Sequence, residues 1–196
     1  MREQKFFKAW YDETLDAQWW WLREEPSAWS LENKSLHLQT LPGTLWGTTN
    51  TAKNILLRPE MPIEPGLTSE VTVTNHPEHQ GEQAGLIWYH DEANYIKLVK
   101  ESLEGSEWIV LGREQDDSPQ LIARIPVATG TARLRLSLEE QTLVGWAQPE
   151  CDGPWEKVGA CELVNTDTVC LGVFTHGGEP DAERWVTLRD FIITQE

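Results

Sequence analysis

Apolar residues recur at every second position through most of this chain, in runs of five to ten residues. Residues 68–75 (TSEVTVTN) place Val71 and Val73 on one face. Residues 84–90 form a second run, and the acidic turn Asp91-Glu92-Ala93-Asn94 leads into a third at 95–101. Glu104-Gly105 makes another turn before 108–112; runs at 121–127, 132–138 and 143–148 follow, and 169–176 and 185–194 close the chain. Period-two runs bounded by Gly, Pro, Asn and Asp clusters predict strands. The short spacing between them favours antiparallel meanders, because a parallel crossover needs a dozen or more residues. The expected class is all-β, with two antiparallel sheets packed face to face. Only 4–11 and 12–18 leave room for a short helix, and neither is long enough to alter the architecture. Pro42-Gly43, Pro65-Gly66, Gly153-Pro154 and Gly177-Gly178 mark turns, and no stretch has linker composition. A single domain over 1–196 is expected, with 1–11 as a peripheral segment.

Charge narrows the partners. The 196 residues carry 16 basic and 32 acidic side chains, a net charge of −16. Phosphate-rich partners need a basic surface, so nucleic acid and anionic membranes are disfavoured. No apolar run approaches the roughly 20 residues of a membrane helix. The opening Met-Arg-Glu-Gln-Lys lacks the apolar core of a signal peptide. Cys151, Cys161 and Cys170 form no Cys-x-x-Cys motif, and their odd number fits reduced thiols, so a cytoplasmic location is expected. The unusual count is tryptophan, with 11 residues. Trp46, Trp108, Trp146, Trp155 and Trp185 are candidates for exposure, and two or three exposed indoles are expected while the rest pack inside.

Residues 13–31 read ETLDAQWWWLREEPSAWSL. The cadence of Leu15, Asp16, Trp19, Arg23, Pro26 and Trp29 resembles the opening of the C-terminal β-sandwich domain of family 43 glycoside hydrolases, the β-xylosidases. Residues 81–101 (GEQAGLIWYHDEANYIKLVKE) resemble a hairpin of that domain and of a small family related to "Regulation of enolase protein". The closing segment 171–194, with its Asp190-Phe191 pair, is similar to their last strands. The resemblance implies a concanavalin A-like jelly roll with a convex and a concave sheet. It does not bring xylosidase activity, because family 43 enzymes carry their catalytic carboxylates on a separate β-propeller for which no residues remain here.

Alternation sorts the hairpin 83–101 into two faces. Gln83, Gly85, Ile87 and Tyr89 share one with Tyr95, Lys97, Val99 and Glu101. Leu86, Trp88 and His90 share the other with Ile96, Leu98 and Lys100, a set rich in Leu and Ile that reads as sandwich core. Aromatic rings can stack on pyranose faces while amides and charges bind hydroxyls. Trp46, Gln83, Tyr89, Tyr95, Lys97, Glu101 and His176 are therefore the candidate carbohydrate-binding residues, with Trp46 at the rim. The competing reading makes Lys97 and Glu101 an ion pair on a solvated face, worth at most about 1 kcal/mol. His76-Pro77-Glu78-His79 lacks a third ligand for zinc. Asp116-Asp117 with Glu114 could hold a structural Ca²⁺, but the spaced ligand pattern of an EF-hand is missing. No other cofactor is expected.

The leading expectation is a non-catalytic, lectin-like sandwich holding a neutral oligo- or polysaccharide on its concave face. A second is a glycan-active enzyme on the same face. A glycosidase would need Glu101 to meet a carboxylate such as Glu70 or Glu82. A lyase would use Tyr95 or His176 as base beside Gln83 and Lys97. A third is an accessory module that packs on a partner enzyme.

Overall fold

The structure, a computed structural model, describes residue 10, residues 14–127, 130–164 and 167–195, and the backbone of residues 5–8. In chain order the strands are β1 (Lys5–Lys8), β2 (Trp20–Leu22), β3 (Trp29–Glu32), β4 (Ser35–Gln39), β5 (Leu45–Trp46), β6 (Thr49–Asn50), β7 (Ile55–Leu57), β8 (Met61–Pro62), β9 (Leu67–Asn75), β10 (Gln83–Asp91), β11 (Asn94–Leu103), β12 (Ser106–Gln115), β13 (Ser118–Pro126), β14 (Gly130–Glu139), β15 (Thr142–Gln148), β16 (Glu156–Glu162), β17 (Thr168–His176) and β18 (Trp185–Gln195). The first sheet runs β16-β15-β14-β9-β18-β4-β3, with β1 also on β18; the second runs β13-β12-β11-β10-β17-β7-β2, with β8 also on β17. Every pairing is antiparallel. This is the expected all-β, concanavalin A-like sandwich.

The meander β10 to β13 follows from its turns. Glu104 and Gly105 have φ of 55° and 74°, and Asp116 and Asp117 have 52° and 58°. Two consecutive left-handed residues make the tight turn whose twist matches a hairpin. Each apolar face then meets its counterpart. Leu86 and Trp88 of β10, Ile96 and Leu98 of β11, and Leu171 and Val173 of β17 pack in one core with Val71 and Val73 of β9 and Leu134 and Leu136 of β14. Burial of each such side chain contributes about 1.5–3 kcal/mol. Trp88 Nε1 donates to Ser69 Oγ at 2.9 Å, which satisfies the one polar atom of that indole inside the core.

The N-terminal segment departs from expectation. Residues 5–8 form a strand, not part of a helix at 4–11, and pair with Ile192–Gln195 of β18. The reason lies in β18. A bulge falls between Arg189 and Ile192, with Asp190 at φ 53°. β4 pairs with β18 only up to Arg189, so the edge beyond is open and β1 takes it. The bulge also turns Phe191 inward, where its ring lies 5.7 Å from Trp10 and 5.6 Å from Trp19. Trp10 is buried, so this part of the N-terminal segment is built into the sandwich. Of the other helix candidate, 12–18, residues 12 and 13 lie outside the described residues and 14–18 contain no helix.

Candidate functional site

Strand register builds the floor of the site on the outer face of the second sheet. His176 of β17 pairs with Gln83 of β10, Gln83 with Glu101 of β11, and Glu101 with Trp108 of β12. These side chains form one row across four strands. Two rows away Lys97 lies opposite Ile87 and Gly112. The small hairpin β5–β6 then lies over this face, with Leu45 buried against Ile87, Tyr95, Val99 and Val110 in a second, smaller core.

Polar side chains hold the hairpin down. Leu45 O accepts from Tyr95 Oη at 2.7 Å and from Lys97 Nζ at 3.3 Å. Gly47 N donates to Glu114 Oε2 at 2.9 Å, and the same oxygen lies within hydrogen-bonding distance of Tyr95 Oη. Asn50 Nδ2 donates to Glu92 O at 2.9 Å. Trp46 projects from this anchored turn. Its ring lies 4.7 Å from Lys97 Nζ, and the residue remains 41% exposed. Gly112 makes that arrangement fit: a Cβ there would lie 3.2 Å from Lys97 Cε and 3.6 Å from Trp46 Cζ3.

Between hairpin and sheet lies a cavity of about 410 Å³, lined among others by Trp46, Gln83, Lys97, Glu101, Leu121 and His176. Its size falls within the range of small-molecule sites. Gly177 closes one wall at φ 87°, where a Cβ would come 2.4 Å from Gly81 O. Gln83 Nε2 donates to Glu101 Oε1 at 3.1 Å and to Gly81 O at 3.2 Å. Gln83 Oε1 and both ring nitrogens of His176 lack a hydrogen bond of good geometry. Both residues line the cavity.

Burial sets the electrostatics. Desolvation lowers the Lys97 pKa to about 8, against the opposing pull of Glu101 and Glu114. Desolvation raises the Glu101 carboxyl, and Lys97 partly offsets it. His176 is held well below its ordinary value by burial and by the Lys97 charge, with the Gly43 backbone opposing, so it is neutral near pH 7.

Of the seven residues singled out from the sequence, Trp46, Gln83, Lys97, Glu101 and His176 converge on this cavity. Tyr89 and Tyr95 do not line it. Alternation places both on the outer face, but both are buried in the second core, and the Tyr95 hydroxyl is engaged by Leu45 and Glu114. Burial also raises both phenols, Tyr89 to about 12 and Tyr95 further still, so neither offers a base. Gln80, Val110 and Leu121 also line the cavity, and no pattern in the sequence marks them; Gly112, an isolated glycine within a strand, is the one available hint of close approach.

The carboxylate pairs considered above do not form. Glu70 binds Arg135 Nε at 2.8 Å and Arg133 Nη2 at 3.3 Å in the first sheet. Glu82 accepts from Arg184 Nε at 3.1 Å and from the Glu78 and His79 amides. Glu101 is the single carboxylate among the lining residues. The Ca²⁺ reading loses its geometry, since Glu114 is buried beneath the hairpin while Asp116 and Asp117 form an exposed two-residue turn. His79 Nδ1 lies 3.6 Å from Glu179, and His76 is exposed. Among the described residues no three His, Cys, Asp or Glu side chains converge as a metal site requires. Cys161 and Cys170 are free thiols whose pKa burial pushes up to about 11. Trp20, Trp46 and Trp185 are the exposed indoles among the described residues.

Fold and register thus define a concanavalin A-like sandwich with a hairpin-covered cavity on one sheet. The profile of the family described as "Beta xylosidase C-terminal Concanavalin A-like domain" matches residues 8–175, and the chain belongs to that family. Solved structures agree at the level of fold. The GH43 BlXynB protein from Bacillus licheniformis superposes with a TM-score of 0.81 at 20% identity, over 97% of this chain and 39% of that one. The xylan beta-1,4-xylosidase from Bacillus halodurans C-125 gives 0.77 at 18%, over 94% of this chain and 38% of that one. A functionally unknown protein from Saccharomyces cerevisiae gives 0.74 at 17%, over 91% of this chain and 97% of that one. The chain therefore spans about two fifths of the two Bacillus proteins and nearly all of the yeast one. Among curated proteins none matches it.

Proposed function

We propose that this domain is a non-catalytic carbohydrate-binding sandwich that takes a neutral glycan in the cavity beneath Trp46. The observation that carries this reading is the composition of the wall. A half-exposed indole stands beside a cavity walled by the buried polar side chains of Gln83 and His176, next to one cation and one carboxylate. The indole offers a stacking face, and the polar groups offer donors and acceptors to hydroxyls. A lone lining carboxylate does not suit a glycosidase, which uses two at about 5–9.5 Å.

The test is a tryptophan-fluorescence titration with xylan, β-glucans and their oligosaccharides, each sample then assayed for new reducing ends and unsaturated products. Saturable quenching without products, lost in Trp46→Ala and Gln83→Ala, is the expected result. Products that vanish in Glu101→Gln would replace this reading with an enzyme. No response to any glycan would end it.

A second reading rests on the comparisons. The two Bacillus proteins are about two and a half times as long as the segment they share with this chain. An accessory role, with the sandwich packed on a partner enzyme, would show as a stable complex in size-exclusion chromatography with a GH43 catalytic domain.

A further inference from the structure

Two lysines on β11, three residues apart, point to opposite sides of the second sheet, and both are buried. Their surroundings differ. Lys100 Nζ donates to Asn75 O at 2.6 Å and Gly130 O at 2.8 Å, and meets Glu107 Oε2 at 2.8 Å. Three acceptors match the three protons of an ammonium, so Lys100 is a satisfied structural cation. Lys97 Nζ has one carbonyl, Leu45 O, at 3.3 Å and the face of Trp46. Among the described residues no carboxylate lies within ion-pair distance of it. Lys97 also lines the cavity, whereas Lys100 lines none of those described.

We propose that Lys97 is a carbonyl-reactive amine that captures an aldehyde-bearing ligand in the cavity as an imine. Desolvation of Lys97 in the cavity outweighs the pull of Glu101 and Glu114, neither of which is in ion-pair contact, and a desolvated lysine of this kind is a setting for such chemistry. In the step itself, the Nζ lone pair attacks the carbonyl carbon to give a carbinolamine. The nitrogen then loses a proton, the carbinolamine oxygen takes one up, and water leaves as the C=N bond forms. Glu101 stands on the same strand face with a carboxyl that burial holds toward its protonated form, and is the acid the cavity supplies. The carboxylate that Glu101 becomes on giving up its proton is the base that takes the nitrogen proton. No oxidant or reductant is needed. With a pKa near 8, about a tenth of the Lys97 amine is unprotonated at pH 7, against fewer than about one in a thousand for an ordinary lysine. The capture does not depend on the glycan reading, because a small aldehyde carries no pyranose ring.

The experiment uses the full chain, glycolaldehyde as probe and sodium borohydride to reduce any imine to a stable secondary amine. Peptide mass mapping then reads the adduct at every lysine. The expected result is labelling of Lys97 at least about tenfold faster at pH 7 than at exposed Lys34, Lys53 and Lys157, in line with its larger share of free amine. Lys100 should stay unlabelled in the folded protein and label after denaturation. Lys97→Met should remove the fast adduct while the circular dichroism spectrum is kept. Labelling of Lys97 no faster than of the exposed lysines overturns the proposal, whatever the glycan titration shows. Glycan binding without imine capture leaves the carbohydrate reading standing and removes this one.

Discussion

Tyr95→Phe tests the idea that a buried polar anchor, not a strand ladder, seats the hairpin over the site. The hydroxyl lies 2.7 Å from Leu45 O and also within hydrogen-bonding distance of Glu114 Oε2, deep in the second core. Its one proton serves one acceptor at a time, so the substitution removes a single bond. A bond to a carboxylate contributes about 1.5–3 kcal/mol, and the oxygen left behind is buried. Gly47 N still reaches Glu114 Oε2 and Lys97 Nζ still reaches Leu45 O, so neither acceptor is wholly abandoned. A loss near 2 kcal/mol follows, which for a chain of this length corresponds to about 4–8 °C in Tm. Differential scanning calorimetry measures it. The same variant should shift Trp46 emission, because the hairpin that carries the indole has lost a tether. A Tm within about 1 °C of the wild type, with unchanged emission, would refute the anchor.

Other consequences are checked more briefly. Gly112→Val fills the space beneath Lys97 and Trp46, and should weaken glycan binding at least about tenfold in the fluorescence titration. Lys97 is depressed in the folded protein, so between about pH 8 and 10.5 the unfolded chain binds more protons and stability rises with pH. Urea midpoints of wild type minus Lys97→Met should therefore climb across that window, and a flat difference would contradict the burial of the charge. His176 is also depressed, so stability is lost as pH falls below its unfolded pKa of about 6.5, and His176→Gln should flatten that acid limb. Arg184→Ala leaves the buried Glu82 carboxylate with only the Glu78 and His79 amides and should cost about 1–3 kcal/mol by urea denaturation.

Alternation was enough to read the meander and the two faces of the 83–101 hairpin, because one face of that sheet is fully packed and register is then strongly specified. It could not show what covers the other face. Leu45 and Trp46 make up one two-residue strand paired with another, Thr49–Asn50, and the hairpin is held by side chains from Tyr95, Lys97 and Glu114 that are distant in sequence. For that reason Tyr89 and Tyr95 read as open groove residues although they lie under a cover. Strand β16 was also hidden, since Lys157, Gly159 and Ala160 break the apolar alternation at an edge where only one side is packed. The Asp190-Phe191 pair was visible as a motif. Its physical role, a left-handed residue that resets which ring points inward, needed the register.

The smaller core beneath the hairpin has a dynamic consequence. The ladder from β13 to β2 closes without β5 or β6, so the hairpin can lift while the sandwich remains folded. Local opening of that kind costs only the free energy of its own few contacts, well below that of global unfolding. Amides of residues 44–52 should then exchange with deuterium ahead of those in β10 and β11. Such opening would give a bulky ligand a way in and out while leaving the floor of the site in register.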